Sequence, residues 1–403
     1  MKSWIEISES RLRNNVAAIR AAAGEGANVL AVIKADGYGH GAELIAPVLV
    51  DAGVVWLGVG DVDEGARVRR AVGTHDAHVL VMCGMEPVDA DRIVEQRLTP
   101  VVWMPSHVEA LEAAAERAGR RTAVHLEIDS GMARQGAAPG AELERVVAAL
   151  HRSKWLRLEG VFSHLSSSEV RESKHTAAQF ERLQEALDTI YGGGDLIPEL
   201  LHLANSSALD EGSTIEWLQN AAEDISAAVL VRPGLAVYGY CLQIENENGG
   251  LTQSSGSCGE LSQQIQPVLT WKTRVIGTRE IAPSQTVGYG ATFVADRPMR
   301  LALLPVGYAD GFRREASSGI GNGWVRIAGK RAAVVGRVSM NLTVVDVTEI
   351  VEAAEGSDVT LLGEGVTAED HAHWSGDLVT WLTAVVSMQP ERLQRRSTLP
   401  LRR

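Results

Sequence analysis

The sequence predicts an α/β fold of eight parallel strands closed into a barrel, followed by a mainly antiparallel β domain. Two observations carry this. Between residues 28 and 233, short β-prone runs alternate with amphipathic helical stretches; after Tyr240 the texture changes to glycine-punctuated β runs with little helix. Alternating strand and helix patterns indicate parallel strands joined by crossover helices, and a count of eight points to closure rather than an open sheet.

The β-prone runs are Asn28–Lys34, Val54–Val59, His78–Met82, Thr99–Trp103, Ala123–Ile128, Leu158–Ser163, Leu200–Ala204 and Val229–Val231. Between them, apolar residues at helical spacing predict helices over Ala42–Asp51, Glu64–Ala71, Glu109–Ala118, Glu142–Leu150 and Lys174–Ile190. Residues 243–263 are rich in Gly, Ser, Gln, Asn and Glu and read as a loop or linker. Beyond it come Val268–Ile276, Arg300–Pro305, Gly323–Ile327, Ala332–Val335, Thr343–Val347 and Asp358–Leu362, then one helical stretch near Thr367–His373. Trp4–Ile7 alternates as a further strand. The expected division is a barrel over 8–242, the linker 243–263, and a β domain over 264–403 that takes in the strand at 1–7.

Length and composition bound the function. A chain of 403 residues suggests two or three domains, and 45% apolar with 22% charged residues is an ordinary globular profile. The balance of 38 basic against 51 acidic residues, net −13, argues against nucleic-acid or anionic-membrane partners. Cys83, Cys241 and Cys258 are too few and scattered for a disulfide framework or a metal cluster, so no metal is expected. The charged, helix-like start and the lack of a long apolar run lead to an expectation of a cytoplasmic protein with neither signal peptide nor membrane span.

Chemistry is concentrated just after the strands, where barrels build their pockets. The run Ala31-Val32-Ile33 delivers Lys34, followed by Ala35-Asp36-Gly37-Tyr38-Gly39-His40-Gly41. A strand-end lysine either points into solvent or is placed for chemistry. The glycine-rich flank favours the second, because it lets a ligand approach closely. Lysine is also the side chain that holds an aldehyde cofactor as a Schiff base. Asp129, Met132 and Arg134 follow the fifth run, His164 the sixth, Asn205 and Ser206 the seventh, and Arg232-Pro233-Gly234 the eighth.

These blocks, with Gly160–His164, Tyr238-Gly239, Val287-Gly288-Tyr289-Gly290, Gly307-Tyr308-Ala309-Asp310-Gly311 and Gly336-Arg337 with Met340, are similar to those of the alanine racemases. That family consists of pyridoxal 5'-phosphate enzymes with an N-terminal barrel and a C-terminal β domain. The resemblance spans nearly the whole chain. It implies that Lys34 carries the cofactor covalently and acts as one base at the substrate Cα. Tyr289, from the partner subunit of a homodimer with shared active sites, would be the opposite base, with His164 and Arg232 as its cationic or hydrogen-bonding neighbours. It further implies that Arg232 meets the pyridine nitrogen, and that Tyr38, Ser206 and the amides of Gly234 and Leu235 hold the phosphate. Asn205 belongs to the same cofactor-binding set. Arg134 and the Met340 amide would take the carboxylate of a small amino-acid substrate, with Glu127, Tyr308 and Asn341 in support.

Five departures stand out. Glu127 occupies a position where many members carry a carbamylated lysine, and the substitution implies direct orientation of Arg134 by a carboxylate. Asn341 replaces a usual aspartate near the entrance, and Ser339 replaces a cysteine. Glu169 replaces an aspartate on the entry route. Around Trp381 the chain reads Val379-Thr380-Trp381-Leu382-Thr383 instead of the family's Asn-Tyr-Glu. The expected activity is racemisation of alanine. A racemase of serine or another amino acid, an aldolase or decarboxylase on the same fold, and a non-enzymatic cofactor carrier are the alternatives.

Overall fold

A computed structural model describes residues 2–73, 75–192, 196–246, 259–375 and 394–397. All eight predicted barrel runs form strands: Asn28–Val32, Trp56–Val59, His78–Val81, Thr99–Val102, Thr122–Glu127, Leu156–Phe162, Leu200–His202 and Ala228–Val231. They close in parallel, the last strand pairing with the first through Leu230↔Asn28 and Val231↔Val29. Most of these strands are buried along nearly their whole length, as expected of parallel strands covered on both faces. The predicted helices appear as Ala42–Asp51, Val62–Val72, Pro105–Ala118, Ala141–Arg152 and Lys174–Tyr191. Their starts follow local chemistry. Asp61 accepts from the Glu64 amide ahead of the second, and Ser173 accepts from Thr176 ahead of the last.

Contacts divide the chain into two units. One comprises 10–35 and 42–266; the other comprises 1–9, 36–41 and 267–403. In the second unit a six-stranded sheet runs in the order Lys330–Ala333, Trp324–Ile327, Asp358–Leu362, Leu269–Arg274, Ser3–Ile7, Gln394–Ser397. A three-stranded antiparallel sheet combines Gly277–Ile281, Met299–Leu304 and Thr343–Asp346. The helix-like reading of the first fifteen residues resolves into a strand, Ser3–Ile7, and a helix, Glu9–Ala23. Helices Ser206–Glu211 and Ser213–Asp224 follow the seventh barrel strand. Of the linker, Glu245–Asn246 pairs with Val170–Arg171, while 247–258, including Cys258, lies outside the described residues, as does Trp381. No helix among the described residues is long and apolar enough to cross a membrane.

Candidate active site

Lys34 follows directly on a strand end held from two sides. The Val32 amide donates to Pro233 O at 3.0 Å, and the Tyr238 hydroxyl donates to Val32 O at 3.0 Å. The next residues are not an open loop but a single helical turn, Lys34–Tyr38, wound left-handed. Ala35, Asp36, Gly37, Tyr38 and Gly39 all have φ between 52° and 78°. Each non-glycine residue in that region costs about 1–2 kcal/mol, and such strain persists where the surroundings over-determine it. Here His40 does so: its buried ring donates from Nδ1 to Gly37 O (3.0 Å) and Tyr38 O (2.9 Å), and the Gly41 amide returns to Asp36 O at 2.8 Å. The turn rigidifies the segment that begins with Lys34.

Arg232 is buried, and its donors go to Ser163 O at 2.7 Å and to two histidines at 3.3 Å, His164 Nδ1 and His202 Nδ1. A guanidinium only donates, so Nδ1 of both rings accepts. His164 is therefore an uncharged imidazole with its proton on Nε2. Burial, with Arg232, Arg134 and Lys34 nearby, drives its pKa down to about 3. This revises the expectation of a cationic role for His164, which is left as a hydrogen-bonding group. Burial also lowers Arg232, to about 10, still charged at neutral pH.

Ser206 Oγ accepts from the amides of Gly234 and Ala236, each at 3.0 Å. That leaves the hydroxyl proton to donate, a setting suited to a phosphate oxygen. The Gly234 amide, which the resemblance assigns to the phosphate, is thus engaged by Ser206 together with that of Ala236. Asn205 is the N-cap of the helix that starts at Ser206, its Oδ1 accepting from the Ala208 amide and the Ser168 hydroxyl.

Asp129 Oδ1 accepts three successive amides, Gly131, Met132 and Ala133, at 2.9–3.0 Å, and so folds the loop that carries Arg134. Arg134 is exposed. The group that bonds to the buried Glu127 carboxylate is the side-chain amide of Gln135, which also donates to Met82 O at 2.9 Å. Gln135 went unremarked in the sequence; its neighbour Arg134 drew the assignment because an arginine is the usual carboxylate partner. Burial raises Glu127 from 4.5 to about 7, against the pull of Gln135, Arg232 and Arg134. A folded-state pKa above the unfolded one means that the folded protein binds more protons between these values, so stability falls as pH rises. Glu127→Gln is expected to gain on the parent from about pH 4.5 to about 7 and then level off, measured by denaturant unfolding across that range. A pH-independent difference would refute the raised pKa.

In the β domain, three sequence-distant blocks come together. A Cβ on Gly336 would lie 2.7 Å from Val287 O, and one on Gly288 would lie 3.3 Å from the Arg337 amide. The Tyr308 amide donates to Ser339 O at 3.0 Å, and the Ala309 amide to Met340 O at 2.9 Å. This face leaves Tyr289 69%, Met340 56% and Tyr308 43% exposed. Gly288 and Gly290, at φ 76° and 74°, set the tight turn that holds Tyr289 out. Asn341 Nδ2 approaches Asp310 at 3.5 Å, and Lys2 pairs with the same carboxylate at 2.6 Å.

Comparison with known proteins agrees with both halves. The family model for the alanine racemase N-terminal domain matches residues 7–241, and that for the alanine racemase C-terminal domain matches 268–396. The alanine racemase of Syntrophobacter fumaroxidans is 33% identical over 380 residues, covering 93% of each chain. Among solved structures, the alanine racemase from Streptomyces coelicolor A3(2) superposes with a TM-score of 0.84 at 30% identity, covering 99% of this chain and 98% of that one. The Bartonella henselae alanine racemase, solved with covalently bound pyridoxal phosphate, shares the fold at 21% identity (TM-score 0.77, 98% and 99% coverage). This chain belongs to the alanine racemase family and is an amino-acid racemase, an isomerase.

Proposed function

We propose that the protein interconverts L- and D-alanine by a two-base mechanism, with pyridoxal 5'-phosphate held at the C-terminal rim of the barrel. The observation that supports this best is the donor set gathered there. A lysine amine stands at a rigid strand end, a buried arginine offers only N–H donors, and a serine hydroxyl is oriented by two backbone amides. Those three chemistries fit an aldehyde, a pyridine nitrogen and a phosphate. Lys34 would bind the aldehyde carbon, Arg232 would donate to the ring nitrogen, and Ser206 would donate to the phosphate. When bound, the cofactor withdraws electrons from the substrate and so acidifies its Cα–H.

The remaining work falls to this chain's own residues. Lys34 removes or returns the Cα proton on one face, and Tyr289 of a second copy does so on the other, which is what inversion requires. Arg232 keeps its protons at neutral pH, so the ring nitrogen it meets receives a hydrogen bond rather than a proton. That limits how far charge is drawn from Cα and disfavours side reactions. Arg134 and the Met340 amide bind the substrate carboxylate. The exposed aromatic and methionine face of the β domain supports a homodimer, since large apolar side chains clustered at a surface mark association sites. A cofactor carrier has no use for the matched β domain. Assay of both enantiomers of the common amino acids is expected to show alanine as the fastest substrate, with serine slower. Faster turnover of another amino acid, or turnover of one enantiomer without formation of its mirror image, would overturn the assignment.

A further inference from the structure

The barrel interior holds a continuous line of polar groups where aliphatic residues usually pack. Arg232 Nη1 lies 3.3 Å from His202 Nδ1, and His202 Nε2 lies 3.0 Å from His125 Nδ1. His125 Nε2 then faces Glu159 Oε2 at 3.4 Å, and Glu159 Oε1 pairs with Arg157 at 2.7 Å. His125, His202 and Glu159 are all buried. Neither His125 Nε2 nor Glu159 Oε2 makes a hydrogen bond to any other residue or within the 3.4 Å contact itself, so each is the nearest group of opposite polarity that the other has. Aromatic rings wall the line: Trp56 lies 5.0 Å from His125, and Phe162 stacks on His202 at 4.5 Å. Space for the His125 ring is made by Gly160, where a Cβ would come within 2.8 Å of two ring atoms.

Only one proton arrangement avoids opposing donors along this line. Arg232 can only donate, so His202 Nδ1 accepts and its proton sits on Nε2. That proton is donated to His125 Nδ1, which places the second ring's proton on Nε2, aimed at the Glu159 carboxylate. Reversing either ring sets two donors against each other in a buried site. We infer that His125 and Glu159 are positioning residues that hold His202 in its Nε2–H tautomer and thereby hold the Arg232 guanidinium in place from the far side of the barrel. Burial keeps both imidazoles uncharged by lowering their pKa values. The carboxylate at the end of the line is the tautomer's anchor, in the manner of outer-shell carboxylates that orient functional histidines. The contribution of Arg232 to racemisation rests on the function proposed above; the proton arrangement does not.

Full-length protein as purified with its cofactor, labelled with 15N at histidine, tests this by long-range 15N–1H spectra near neutral pH, the two rings assigned by single His→Gln substitutions. Both His125 and His202 are expected as neutral Nε2–H tautomers. A proton on His202 Nδ1, or a charged ring at either position, would overturn the inference. In Glu159→Leu the His202 signals are expected to lose their single-tautomer pattern. The same change should lower kcat on the order of tenfold, with KM for alanine nearly unchanged. Glu159→Gln, which keeps an acceptor oxygen for His125, is expected to restore the tautomer and most of kcat. If glutamine fails as leucine does, the residue serves only as an ion-pair member with Arg157 and the inference falls. If the leucine variant does not fold, the parent tautomers and the glutamine variant still decide it.

Discussion

Lys34→Ala is expected to abolish racemisation, with a loss of at least about 10⁴-fold, the upper range for removing a proton-transfer group. The loss is set by two functions in one amine, covalent attachment of the cofactor and proton transfer at Cα. Folding should survive. Lys34 is only partly buried, and the strand and turn around it are held by backbone groups and by His40 rather than by the lysine. The check is a paired measurement of racemase activity and of the absorbance of a lysine-linked Schiff base, with the melting temperature as control. Activity within tenfold of the parent, in a protein lacking that absorbance, would remove Lys34 from the mechanism.

Tyr289→Phe should split the two directions of the reaction. The phenyl ring preserves the shape of a side chain that is 69% exposed, so the change removes a hydroxyl at little cost to the fold. With one base gone, exchange of the Cα hydrogen with deuterium from solvent should fall about 10²–10⁴-fold for one enantiomer and be largely retained for the other. A free tyrosine titrates near 10, so a tyrosine base needs positive charge or strong donors nearby. His164 supplies no charge, since its pKa is about 3. Arg232 remains the cationic candidate at the barrel rim, and a variant with glutamate at 232 should therefore impair the Tyr289-dependent direction. Equal, small losses for both enantiomers in Tyr289→Phe would sink the two-base assignment.

The sequence was most legible where period and strand-end chemistry coincide. The run Asn28–Val32 delivering Lys34, or Leu156–Phe162 delivering His164, is read locally, because a buried parallel strand is a short apolar run and its carboxyl end opens into the site. The left-handed turn after Lys34 was less legible. Three glycines signal positive φ, yet Ala35, Asp36 and Tyr38 adopt it as well, forced by His40 and the closing amides. Gln135 was missed for a related reason: a glutamine beside an arginine in a loop carries no signal until the fold buries Glu127 next to it.

By itself, the sequence determined the eight strands and their order along the chain, the change to a β domain, and the identity of the groups at the strand ends. Those follow from hydrophobic period and from the few side chains able to do the chemistry. Only the tertiary structure decided the protonation and pairing of the polar groups. His125 meets His202 across 77 residues, and His202 meets Arg232 across 30. Barrel register sets such meetings, and the proton positions then follow from which neighbours can only donate or only accept.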